Sequence, residues 1–209
     1  MTDSVLLSSA YFPPIHYLAL FLKTERILIE REENYPKQTY RNRCTILTAN
    51  GIFSLTVPVL QGSFHKQPVK DIRIDYTKRW QQVHLRGLRT SYASSPYYEY
   101  YIEDIERIIL KRHRFLLDLN MDSLKLIMKL SGISTSVSYT NVFEAVTEGK
   151  RDFRYIISPK KNLPSGMFTF PVYPQVFDDR FGFTEKLSTL DLLFNTGPDC
   201  SALLDAAII

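Results

Sequence analysis

The chain has 209 residues, 44% hydrophobic and 23% charged, the proportions of a globular protein long enough to bury a sizeable core. These values exclude disorder along the whole chain, and eight glycines exclude a collagen-like repeat. A formal net charge of +4 falls short of the dense basic character of a dedicated nucleic-acid binder.

Length favours a single domain over residues 1–209, sheet-rich to residue 76 and helix-rich from residue 77. Two cysteines, Cys44 and Cys200, are too few for a disulfide scaffold or a four-cysteine zinc site. Residues 1–10 lack the cationic head of a secretory signal, and the longest mainly apolar run, 15–22, is too short to span a bilayer. With free thiols, a cytoplasmic location without a membrane span is the expectation.

In chain order, residues 5–9 read as a short buried strand, followed by a turn at Phe12-Pro13-Pro14. A helix over 15–23 starts after Pro14, which suits a first helical turn, and residues 26–30 form a second strand, completing a parallel crossover. Asn50-Gly51 between two β-rich runs predicts a type I′ hairpin. In that register Ala49 faces Ile52, Ile46 faces Leu55 and Cys44 faces Val57, leaving one face apolar and Arg43, Thr45, Ser54 and Thr56 on the other. Cys44 then reads as a buried small hydrophobe rather than a nucleophile.

Past residue 77 the period becomes helical. Trp80, His84, Leu88 and Tyr92 recur every four residues. Ser95-Pro96 is read as the start of a further helix with a buried stripe through Tyr98, Tyr101, Ile102, Ile105, Ile108 and Ile109. A helix over 122–130 takes Asn120 as its cap and Gly132 as its stop. Residues 148–175, basic and rich in proline and aromatics, read as an irregular arm. Ser188-Thr189-Leu190-Asp191 resembles a capping box opening a helix to Phe194, and Gly197-Pro198 separates it from a last helix over 200–206. The fold expected is α/β: a mixed sheet with an N-terminal parallel βαβ-like unit and a β-hairpin, then a helical C-terminal half, with α+β as the alternative.

Three constellations carry candidate chemistry. Tyr11-Phe12-Pro13-Pro14-Ile15-His16-Tyr17 lies between a strand and a helix start, where free amides and an adjacent histidine suit an anion. It is similar to the first half of the nucleotidylyltransferase signature, but Leu18 and Ala19 replace that motif's glycine and second histidine, so adenylyl transfer is not expected. Arg41 and Arg43 project from one strand face and could grip a phosphate or carboxylate, or pair with Glu30, Glu32 or Glu33. Trp80, His84 and Arg86 lie close together on a helix. Residues 66–89 hold seven Lys or Arg against Asp71 and Asp75, a stretch able to meet phosphate or to form a solvated surface. The four histidines are scattered, so no metal is expected; there is no glycine-rich phosphate loop, and no cofactor is expected.

These motifs, with Leu55-Thr56-Val57-Pro58-Val59, Lys70-Asp71-Ile72-Arg73-Ile74 and Tyr92-x-x-x-Pro96-Tyr97-Tyr98, together resemble the WbqC-like family. Gly182-Phe183, Leu187-Ser188, Asp191 to Asn195 and Gly197-Pro198 are similar to its Bacteroidetes-type members. Ser9-Ala10 stands where the family often has Gln-Pro, so no role of that glutamine carries over. The resemblance implies a cytoplasmic protein of surface-polysaccharide (O-antigen) precursor metabolism, acting by acyl or aminoacyl transfer to a nucleotide-linked amino sugar. The alternative is a non-catalytic module holding a sugar precursor or a partner enzyme. In the catalytic reading His16 or His84 is the base, while Tyr11, Tyr17, Arg41, Arg43, Trp80 and Arg86 bind a nucleotide-linked sugar or another anionic small molecule. Nucleic acid is the least favoured partner.

Overall fold

Apolar side chains on both faces of residues 5–7 call for cover on both sides, and that is what the first strand receives. In the computed structural model, which describes residues 4–60, 67–147, 151–164, 166–169 and 171–207, β1 (Ser4–Ser8) buries Val5, Leu6 and Leu7 completely. Lys66 of the basic stretch and residues 148–150, 165 and 170 of the expected arm lie outside the described residues. Helix α1 (Ile15–Ala19) continues as a 3-10 turn (Leu20–Lys23) and returns the chain to β2 (Arg26–Glu30), parallel to β1 with Leu6 opposite Leu28.

The hairpin of β3 (Arg43–Thr48) and β4 (Gly51–Thr56) turns one residue earlier than expected. Thr48 pairs with Gly51 and Ile46 with Phe53, leaving Ala49 and Asn50 in the turn. A type I′ turn needs positive φ at both central residues; here Gly51 alone takes it, at 99°, following two residues of ordinary φ. Each partner moves by two positions, so every side chain keeps its expected face. Cys44, Ile46, Leu55 and Val57 are buried, and burial pushes the Cys44 thiol well up. Phe53, expected inside, is 45% exposed.

Helix α2 (Trp80–Tyr92) buries the four residues of its predicted stripe and packs on the hairpin at Gly87, where a Cβ would come within 3.1 Å of Leu55. Helix α3 (Tyr98–Leu110) begins at Tyr98 rather than at Ser95-Pro96, because the Ser95 hydroxyl donates back to Tyr92 O at 2.6 Å and closes the end of α2. Helix α4 (Leu116–Leu130) starts earlier than expected, and Asn120 lies inside it rather than capping it. The Asn120 amide has a tertiary task, donating to Ser9 Oγ at 3.1 Å and Arg41 O at 2.8 Å.

The second half also supplies strands that local pattern did not reveal. Strands β5 (Ser136–Tyr139) and β6 (Arg151–Asp152) complete a four-stranded parallel sheet of order β5-β2-β1-β6. With the separate β3-β4 pair this is a mixed α/β fold. After the short α5 (Asp178–Phe181), α6 (Thr189–Thr196) is capped by Ser188, whose hydroxyl accepts from Leu190 N at 3.3 Å. Asp191 does not close the capping box. Its carboxylate turns inward to accept from Tyr173 at 2.7 Å and Gln175 at 3.0 Å, and burial raises its pKa. Helix α7 (Cys200–Asp205) is the last helix among the described residues.

Candidate functional site

The aromatic-proline turn after β1 is strained and clamped. Phe12 has φ 38°, an uncommon conformation for a bulky residue and one that persists only where the surroundings enforce it. The Ser188 hydroxyl donates to Phe12 O at 2.8 Å, and both the amide and the hydroxyl of Thr189 donate to Pro13 O at 2.8 Å. The amide of Ile15 donates to Leu187 O at 3.2 Å, and every residue of α1 is buried. The expected open anion site at the helix start is therefore not formed: proline has no N–H to offer, and the next amide is spent on a neighbouring carbonyl.

The same clamp places His16 and Lys186 in the wall of a cleft of about 430 Å³. Tyr40, Arg43 of β3, and Lys160 and Lys161 of the arm complete its basic lining, with Glu185 the one acid among the lining residues. None of these four cations has a carboxylate partner among the described residues, and the buried Arg43 Nε has no hydrogen-bond partner there. Lys186 carries a positive φ of 62° at the rim. The His16 ring meets Tyr40 edge-on at 6.1 Å and Phe168 at 5.8 Å. Burial, then the nearby Lys186 charge, lowers its pKa to about 3, so the imidazole is neutral at pH 7.

Tyr40 also borders a crevice of about 10 Å³ at the carboxyl ends of β1 and β6, room for about one water. Because β2 lies on one side of β1 and β6 on the other, sheet growth reverses there. Open α/β sheets bind ligands outside the carboxyl ends of strands at such a switch point. Here buried ion pairs fill it. Arg41 is held by Glu33 at 2.6 Å and by Ser8 Oγ, and Arg154 by Glu30 at 3.0 Å and Asp152 at 2.7 Å. Thr140, next after β5, donates to Glu30 at 2.7 Å, so one polar network joins the carboxyl ends of all four strands. Tyr17 lies beside it, its hydroxyl donating to Ser8 O at 2.8 Å.

The arginine pair expected on one strand face is thus divided. Arg41 precedes β3, is 3% exposed and is committed to Glu33, whereas Arg43 stands on the strand and lines the cleft. The histidines are divided too. His84 Nδ1 accepts from the Tyr11 hydroxyl at 3.0 Å and its Nε2–H donates to Thr56 O at 3.2 Å, which fixes a neutral tautomer; burial lowers its pKa to about 4. Trp80 stacks edge-on against it at 5.0 Å. His84, Trp80 and Arg86 border a separate groove between β4 and α2. Sequence reading missed Lys186 and Arg154 and resolved Lys160-Lys161 only as part of a basic arm; nothing local marks Lys186. Among the described residues no group of three or more His, Cys, Asp or Glu could hold a metal ion.

Comparison with known proteins settles the family over most of the span that builds this site, since the WbqC-like protein family matches residues 8–163, which leaves Glu185 and Lys186 outside the match. The chain belongs to the WbqC-like protein family. That match covers the aromatic-proline turn, both arginines, the hairpin, α2 and the arm with Lys160 and Lys161. The chain is also 27% identical to the uncharacterized protein Rv1507c of Mycobacterium tuberculosis, over 95% of this chain and 96% of that protein. No solved structure matches this WbqC-like chain. Among its described residues, no helix is long and apolar enough to cross a membrane.

Proposed function

We propose that this protein is an enzyme of surface-polysaccharide precursor metabolism that binds a nucleotide-linked amino sugar in the basic cleft and transfers an acyl or aminoacyl group to its amine. The observation that carries the reading is the Arg43 guanidinium, whose buried Nε–H has no partner among the described residues, in a cleft where four cations face one carboxylate. A diphosphate supplies the missing acceptor and offsets the unbalanced charge. In the transfer, the amine attacks the activated acyl carbon, its proton passes to a base and the donor's leaving group departs. Of the two histidines, His16 lines the cleft and is the base in this reading. Burial is the main cause of its low basicity and Lys186 the second; a bound phosphate offsets the second, and a positioned base contributes about 10²–10⁴-fold to rate.

The commitment of both His84 ring nitrogens favours a second reading, a non-catalytic module that holds the same precursor. Titration calorimetry with a uridine diphosphate amino sugar tests the binding shared by both. Arg43→Ala is expected to weaken affinity by about tenfold or more, the effect of losing a charge-assisted hydrogen bond, while Arg86→Ala leaves it unchanged. Equal affinity in Arg43→Ala refutes the cleft as the site. Mass spectrometry after incubation with activated acyl donors separates enzyme from module.

A further inference from the structure

The groove between β4 and α2 is not used by the function proposed above, although the sequence singles out three of its residues. Arg79, the residue before α2, and Gln82, Val83 and Arg86 of the helix lie along one exposed stripe and line a hollow with Phe53 of the hairpin. Two adjoining hollows, of about 540 and 350 Å³, share Phe53, Arg79 and Val83. Their walls combine apolar surface, with Val83 54% and Phe53 45% exposed, and the cations Lys78, Arg79 and Arg86. No carboxylate lines either hollow, and neither Arg79 nor Arg86 forms an ion pair among the described residues. Trp80, only 4% exposed, borders the inner hollow, and its buried Nε1–H has no hydrogen-bond partner there. Buried indole N–H groups ordinarily find an acceptor, and this one is left without one beside the inner hollow.

We infer that this groove is a second ligand site, separate from the basic cleft, which takes an aromatic anion: a flat ring carrying a carboxylate or phosphate. The ring lies against Phe53 and Val83, the anionic group meets Arg79 and Arg86, and an acceptor on the ligand receives the Trp80 N–H. The edge of β4 separates the two sites, with Ser54 bordering both. The inference stands independently of the nucleotide-sugar reading.

Trp80 is the single tryptophan of the chain, so its emission reports on this groove directly. The full-length protein is titrated with adenosine 5′-monophosphate in one arm and phenylacetate in the other. A saturable change in Trp80 emission is expected in at least one arm; a response to phenylacetate alone assigns a carboxylate ligand and one to the nucleotide alone a phosphate. The double variant Arg79→Ala/Arg86→Ala should weaken the responding probe about tenfold or more, as should Val83→Glu, which puts a carboxylate in the groove. These positions are exposed, so unchanged melting of the variants controls for folding. Arg43→Ala should leave the titration unaltered. No saturable change in either arm, or an affinity indifferent to both groove variants, overturns the site.

Discussion

Replacing Arg41 by methionine removes the guanidinium but keeps a long unbranched side chain, so the change is chiefly one of charge. Arg41 and Glu33 side chains are 4% and 1% exposed, with Arg41 Nε and Nη2 donating to Glu33 Oε1 at 2.9 and 2.6 Å. Loss of one partner leaves the other charge buried and uncompensated, a penalty of about 3–5 kcal/mol. For a protein of this size each kcal/mol moves the melting temperature by about 2–4 °C, so Arg41→Met should melt about 6–20 °C lower. Adding Glu33→Gln should recover part of the loss, because the stranded charge is then gone. Arg43→Met, at a half-buried position with no ion pair among the described residues, should change stability by about 0.5 kcal/mol or less. Circular dichroism melts and urea denaturation at pH 7 measure all four proteins. A loss below about 1 kcal/mol for Arg41→Met, or an equal loss for Arg43→Met, refutes the assignment of Arg41 to the buried network and returns it to the ligand-binding candidates.

Two other perturbations test the packing around the site. The His84 imidazole titrates near 6.5 when unfolded and near 4 in the folded chain, so as pH falls the unfolded state takes up a proton first. Its contribution is complete above pH 6.5 and is lost, at up to about 1.4 kcal/mol per pH unit, down to about pH 4. His16, lowered to about 3, acts with the same sign. Urea denaturation at several pH values should therefore give His84→Gln a shallower stability slope between pH 6.5 and 4 than the parent; identical slopes would show that His84 is not held neutral. Gly197 has φ 54°, and a Cβ there would lie 2.5 Å from the Tyr97 ring. Gly197→Ala combines backbone strain with overpacking and should cost at least about 2 kcal/mol by thermal melting. Gly51→Ala, with positive φ but open space, should cost only the strain. An unchanged melting temperature for Gly197→Ala would contradict this packing.

Local pattern was sufficient wherever a segment's own hydrophobic period decides its fate. The recurrence of Trp80, His84, Leu88 and Tyr92 marked α2 and its buried face, and Val5 to Leu7 marked a strand covered on both sides. The WbqC-like resemblance was equally legible, since it rests on ordered short motifs. What no period encodes is partnership between distant segments. Ser136–Tyr139 and Arg151–Asp152 are too short and polar to announce strands and become so only because β2 and β1 offer free edges. Asn120 and Asp191 look like helix-end residues but are recruited to Arg41 O and Tyr173. Arg41 and Arg43 share parity in sequence, yet a buried Glu33 eight residues away claims the first and leaves the second in the cleft with Lys160, Lys161 and Lys186. Side-chain period is a property of one segment, whereas charge compensation and edge pairing belong to the contacts between segments. The chain alone therefore set the elements with a strong hydrophobic period of their own, while assembly created the two short edge strands and decided which cations remained available to a ligand.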